Sequence, residues 1–192
     1  ISASLTQLKW SHNDTITTGI GQGISIVTPI AVARYISALV NGGKVFDARL
    51  VKSTSSADGI ITERQSKLYN TVAINEEYLA AIKQGMQNVV SHEDGGSVTS
   101  YFSSWTEERR KMLAGKTGTG QVSQIDLENN AWFAAFAPYD NPEIAVVVFI
   151  PNGYAGARAA YTVEKIVSMY LDRKEQRVTD KLDNTNVVHN VE

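Results

Sequence analysis

This chain of 192 residues contains no cysteine, no long apolar run and no surplus of positive charge. Without cysteine there can be no disulfide, no thiol catalysis and no thiolate-ligated metal. The formal net charge is −2 and Lys and Arg form no cluster. A nucleic-acid binder needs a basic stripe to neutralise phosphates, so nucleic acid is not expected as a partner. His12, His92 and His189 are widely spaced and none belongs to a His-Glu-x-x-His motif, so neither a metal nor a cofactor is expected. The longest strongly apolar run, Ile144 to Ile150, is far shorter than the roughly 20 residues that span a bilayer. No membrane anchor or signal peptide is expected within the chain. What remains is 43% hydrophobic, enough for the core of one domain or part of one.

Local signals then divide the chain. Thr28-Pro29, followed by Ile30, Ala31, Ala33, Ile36, Leu39 and Val40 and closed by Gly42-Gly43, predicts a capped, buried helix. Val45 to Val51 alternates weakly, and the small polar run Ser53 to Gly59 predicts a surface loop. A second helix is predicted from the cap Asn75 through Tyr78, Leu79, Ile82, Met86, Val89 and Val90, ending at Asp94-Gly95-Gly96. Trp132–Ala137 and Ile144–Ile150 read as strands around a Pro138 to Pro142 turn, with Lys116-Thr117-Gly118 as a third strand beside them. Both apolar runs lack alternation, which predicts burial on both faces by helices. A last helix is expected over Arg158–Leu171. The polar residues 172–192 read as a tail, because burial cannot offset their ordering entropy.

The run Ala114-Gly115-Lys116-Thr117-Gly118-Thr119-Gly120-Gln121 carries the chemistry. A phosphate loop would need glycine at position 110, which is Arg110. The alternative is a Lys-Thr-Gly element, in which one ammonium and two hydroxyls on an extended strand can hold a carboxylate through charge-assisted hydrogen bonds. Gly118 lets a substrate backbone lie against the strand edge and pair with it. Gly19-Ile20-Gly21-Gln22-Gly23 misses the dinucleotide pattern because position 24 is Ile24, and it reads first as a tight turn, with Gln22 a candidate to line the site. Gly95-Gly96-Ser97 is no nucleophile elbow, since position 99 is Thr99. Ser11-His12-Asn13 matches Ser-x-Asn by letters only.

Taken in order, Trp10, Asp14-Thr15, Gly19–Gly23, Thr28-Pro29, Ala38–Gly43, Lys116-Thr117-Gly118-Thr119, Ala131-Trp132-Phe133 and Phe136-Ala137-Pro138 closely resemble the C-terminal half of class B penicillin-binding proteins. The resemblance implies an α+β fold, an antiparallel sheet flanked by helices. Residues 1–171 would form the C-terminal part of a transpeptidase domain, and 172–192 a polar tail. It implies a peptidoglycan D,D-transpeptidase acting through an acyl-enzyme, with stem peptides as substrates and β-lactams as suicide substrates. Partners would be a membrane glycosyltransferase and the upstream part of the same protein, at the extracytoplasmic face of the bacterial cell membrane. A sensor acylated by penicillin, or an inactive cell-wall scaffold, are the alternatives. By position, Lys116 and Thr119 match catalytic residues, the Thr119 N–H being one of two oxyanion donors. Thr117, Gly118, Thr119 and Gln22 fall to substrate binding. No serine has lysine three positions later, so the family's Ser-x-x-Lys nucleophile is absent and is expected upstream. Gly96-Ser97-Val98 stands where the family often has Gly-Thr-Ala.

Overall fold

The computed structural model describes residues 10–23, 26–92, 95–122 and 127–188, with side chains described as far as residue 180. Helix α1 (His12–Gly19) opens on a reciprocal cap. The Ser11 backbone N–H donates to the Asp14 carboxylate at 2.8 Å, and the Asp14 N–H donates back to Ser11 Oγ at 3.3 Å. Ser11 therefore serves as the cap of this helix. Helix α2 (Pro29–Val40) starts as predicted, with the Thr28 hydroxyl accepting from the Ala31 N–H and proline at the first position. Helix α3 (Glu76–Ser91) is capped by Asn75, whose side chain accepts from the Tyr78 N–H. Asp94, named in the predicted end of that helix, lies outside the described residues, as does His189.

Between α2 and α3 run two antiparallel ribbons, β1 (Lys44–Phe46) with β4 (Leu68–Thr71) and β2 (Ser53–Ser55) with β3 (Ile61–Glu63). The predicted loop at Ser53–Gly59 is thus a strand and the turn that follows it. Thr54 faces Thr62 and Ser55 faces Ile61, so pairing decided what local composition could not. A 3₁₀ turn (Thr99–Phe102) and the short helix α4 (Glu107–Lys111) lead into the main sheet.

That sheet is antiparallel, in the order β5 (Ala114–Gly120), β6 (Asn130–Ala137), β7 (Ile144–Ile150). Its register sets Lys116 opposite Ala134, Thr119 opposite Ala131 and Phe133 opposite Val148. Successive residues of β6 serve opposite faces. Phe133, Ala135 and Ala137 join Ala159, Ala160, Val163, Val167 and Leu171 of α5 (Arg158–Val188) in the larger core. Ala134 and Phe136 join Ile36, Leu39 and Met86 of α2 and α3 in the smaller one. The two-faced burial predicted from the unbroken apolar pattern holds for β6, whereas in β7 only Val146 is buried and the other residues are partly exposed. Each fully buried Phe contributes about 1.5–3 kcal/mol through removal from water.

The last helix does not end at Leu171 but continues to Val188. What changes at Leu171 is burial: Leu171 is 2% exposed and residues 172–180 are all exposed. The packed segment has already nucleated the helix. Adding Arg, Lys, Glu and Gln to it then costs little, because each residue gains a backbone hydrogen bond and has high intrinsic helix propensity. Among the described residues, no helix is long and apolar enough to cross a membrane.

Candidate active site

Strand β5 is hydrogen-bonded to β6 along one side only, so among the described residues no strand pairs with its other edge. The period of two places Ala114, Lys116 and Gly118 toward α2 and α3, and Thr117 and Thr119 toward α5. Lys116 sits at the rim of an open apolar hollow of about 400 Å³ whose walls include Tyr35, Leu39, Ile82 and Met86. Its long side chain bends around the strand, and Nζ donates to the Thr117 carbonyl oxygen at 2.9 Å. Of its three N–H donors, that bond uses one.

Gln22, predicted as a site residue from the glycine cluster, does reach β5. Its Nε2 donates to the Thr119 carbonyl oxygen at 2.9 Å and its Oε1 accepts from the Gln121 N–H at 3.2 Å. The carbonyl of one strand residue and the N–H of the next but one open on the same edge. A single amide engaging both therefore marks the edge on which Thr119 and Thr117 present their backbone groups. The Thr117 carbonyl, bonded by Lys116, belongs to that row. Lys116, Thr117, Gly118, Thr119 and Gln22 are thus brought together along one strand edge.

A further element was missed in the sequence. The loop between β7 and α5 lies over the Thr119 face, and the Gly156 N–H donates to Thr119 Oγ1 at 3.0 Å. Holding that oxygen as an acceptor leaves the hydroxyl proton free to be donated elsewhere. A Cβ at position 156 would stand 2.4 Å from the Gly118 carbonyl oxygen, so only glycine admits this approach. Asn152 and Tyr154 both take positive φ, 53° and 68°, and the Arg158 guanidinium lies 4.4 Å from the centre of the Tyr154 ring. Asn152 donates its N–H to Asn130 Oδ1 at 3.1 Å, tying the loop to β6. The spacing Gly153-x-x-Gly156 between a strand and a helix was the available signal. By contrast, Gly96-Ser97-Val98 is part of the core support: Val98 is fully buried, and a Cβ on Gly96 would collide with the α3 backbone.

The edge can hold a peptide. Backbone groups on the edge of an outer strand can accept an added strand, the Thr117 and Thr119 carbonyls each keeping a second lone pair, and an ammonium with two hydroxyls beside them suits a terminal carboxylate.

The penicillin binding protein transpeptidase domain family model matches residues 2–168. Over 186 residues the chain is 33% identical to the peptidoglycan D,D-transpeptidase MrdA of Haemophilus influenzae, a match covering 88% of this chain and 27% of that protein. Among solved structures, penicillin-binding protein 2B of Streptococcus pneumoniae superposes with a TM-score of 0.70 at 26% identity, covering 86% of this chain and 28% of that one. The Pseudomonas aeruginosa PBP2 in complex with WCK 5153 gives 0.69 at 28% identity, covering 88% and 36%. The chain therefore spans about a quarter of the length of the MrdA relative.

Proposed function

Because the chain belongs to the penicillin-binding-protein transpeptidase family, we propose that it supplies the carboxylate- and oxyanion-binding side of a peptidoglycan D,D-transpeptidase. The nucleophile belongs to a part of the protein outside residues 1–192, since no Ser-x-x-Lys occurs here. The observation that carries this reading is the open edge of β5, where the Lys116 ammonium bends to within 2.9 Å of the Thr117 carbonyl and Thr119 stands two residues on.

In the proposed reaction a stem peptide lies along that edge, its terminal carboxylate held by Lys116 and the Thr117 and Thr119 hydroxyls. The serine Oγ attacks the carbonyl of the penultimate D-Ala. The C–N bond to the terminal D-Ala breaks, and the serine proton leaves on its amine. An amine of a neighbouring stem peptide then attacks the acyl-serine ester, forming the new amide and returning a proton to the serine. In both steps the carbonyl oxygen becomes an oxyanion, which the Thr119 N–H stabilises. A donor of this kind is worth about 3 kcal/mol in comparable sites. A β-lactam enters the same way, but its leaving nitrogen stays tethered, so the acyl-enzyme persists. The site then lies at the extracytoplasmic face of the cell membrane, where stem peptides are cross-linked.

The test is intact-mass spectrometry of the complete protein with a simple penicillin. One adduct is expected, on a serine outside residues 1–192, and Lys116→Ala should slow its formation by about 100-fold or more, as loss of a charge-assisted contact in the transition state would. An adduct on a serine of this chain, or unchanged acylation in the Lys116 variant, would overturn the proposal.

A further inference from the structure

We infer that Gln22 is a positioning residue for the oxyanion donor, acting across 97 positions of sequence through the Thr119 carbonyl. This rests on the reading of Thr119 given above. Thr119 lies between Gly118 and Gly120, the two residues best able to rotate, and only one residue from the end of β5. Such a stretch of chain, left alone, samples many orientations of the Thr119 N–H. A pre-aimed donor is valuable because it need not reorganise as charge develops, so something must hold this backbone still.

Two contacts do so from opposite sides. Gly156 fixes the Thr119 hydroxyl, and Gln22 fixes the Thr119 carbonyl and the Gln121 N–H together. In a strand the N–H and C=O of one residue point to the same edge, so holding the carbonyl also sets the direction of the N–H. A carbonyl oxygen has two lone pairs, so Gln22 occupies one and leaves one for a substrate amide.

Gln22 is itself anchored. Its backbone N–H donates to the Thr17 carbonyl and the neighbouring Gly21 N–H to the Thr18 carbonyl, both at 2.9 Å. Gly21 and Gly23 take φ of 76° and 95°, which folds the chain back on the end of α1. A Cβ at Gly23 would stand 2.7 Å from Thr17 Oγ1. The tight turn read from the glycine cluster thus presents one carboxamide to one strand edge. Its glycines serve Gln22, and Gln22 serves Thr119.

The experiment compares Gln22→Ala and Gln22→Glu in the complete protein. Glu is isosteric and still accepts from the Gln121 N–H, but sets a carboxylate oxygen against the Thr119 carbonyl. Penicillin acylation should slow about 10- to 100-fold in both variants, less than for deletion of an oxyanion donor, and more in Glu than in Ala. Affinity for a boronic acid that mimics the tetrahedral intermediate should fall in parallel with acylation and by more than pre-covalent penicillin binding does, because only the former uses the oxyanion donor. A merely structural role would instead lower the melting temperature and leave the boronate-to-penicillin ratio alone. Acylation at the parental rate in Gln22→Glu, or faster than that in Gln22→Ala, overturns the inference while a slowed Lys116→Ala leaves the site reading intact. If Lys116→Ala is also unimpaired, the site reading fails and this inference falls with it.

Discussion

In β6, Phe133 and Phe136 are fully buried between two helical layers, whereas in the ribbons between α2 and α3 Leu50, Ile60, Ile61 and Tyr69 stand open to solvent. The side chains are alike in kind, and only the second layer differs. The central strands meet α5 on one face and α2 with α3 on the other, so every apolar residue added to β6 finds a partner. The ribbons have less cover, β1 lying beside α2 while β2 and β3 are exposed throughout, and a two-stranded ribbon by itself is at best marginally stable. The exposure extends through Trp10, Ile16, Ile20, Ile26, Val27 and Ile30. Isolated exposed apolar residues need no explanation, but here they recur along one stretch of the chain, which the packed half of the molecule does not cover. The candidate site lies on the border: β5 is packed on one side and open on the other.

Substitutions can break or sharpen this contrast. Phe133→Ala removes a fully buried ring and should cost about 3–5 kcal/mol, measured by urea denaturation of this chain. A loss below 1 kcal/mol would mean that the sheet is not the stable centre. Gly156→Ala, on the border, should cost about 1–3 kcal/mol through the collision with Gly118. It should also slow penicillin acylation in the complete protein, because β5 must shift to relieve the contact.

Trp105→Phe tests Glu164, the one buried polar or charged side chain among the described residues. Glu164 is 4% exposed, and the Trp105 Nε1–H donates to its Oε1 at 2.8 Å. Burial pushes the Glu164 carboxyl upward. The bonds from Trp105, Lys165 and Ser168 outweigh that and leave it below the usual glutamate value. A carboxyl lowered in the folded state stabilises fully above its unfolded value, and that contribution is lost as pH falls through the folded one. Stability should therefore decline on acidification through the glutamate range. The Phe variant should show a shallower decline and a loss of about 1–3 kcal/mol at neutral pH, read from denaturation at a series of pH values. The smallest effect is expected for Leu50→Ala, within about 0.5 kcal/mol, because Leu50 touches little in this chain. A larger loss would show that the ribbon has a core of its own.

The helix caps at Thr28 and Asn75, the two apolar strands and the Lys-Thr-Gly strand were all legible, because each depends on residues adjacent in sequence. The end of α5 is not legible in this way. Burial alone predicts that the polar extension leaves the helix, yet a helix already nucleated by Ala159, Val163 and Val167 propagates on hydrogen bonds and propensity. The ribbon strand at Ser53–Ser55 was hidden for the opposite reason, since only pairing with Ile61–Glu63 makes it a strand.

What the sequence alone determined is the chemistry on offer: a lysine, two threonines and glycines on one extended segment, with no Ser-x-x-Lys beside them. Those are properties of neighbours along the chain. Only the tertiary structure decided that β5 is an outer strand, that Lys116 turns to the same edge as the Thr117 carbonyl, and that Gln22 and Gly156 grip Thr119 from two sides. The Gln22 and Gly156 contacts join residues 97 and 37 positions apart, and no local pattern encodes them, because the packing of the whole sheet sets the distances between them.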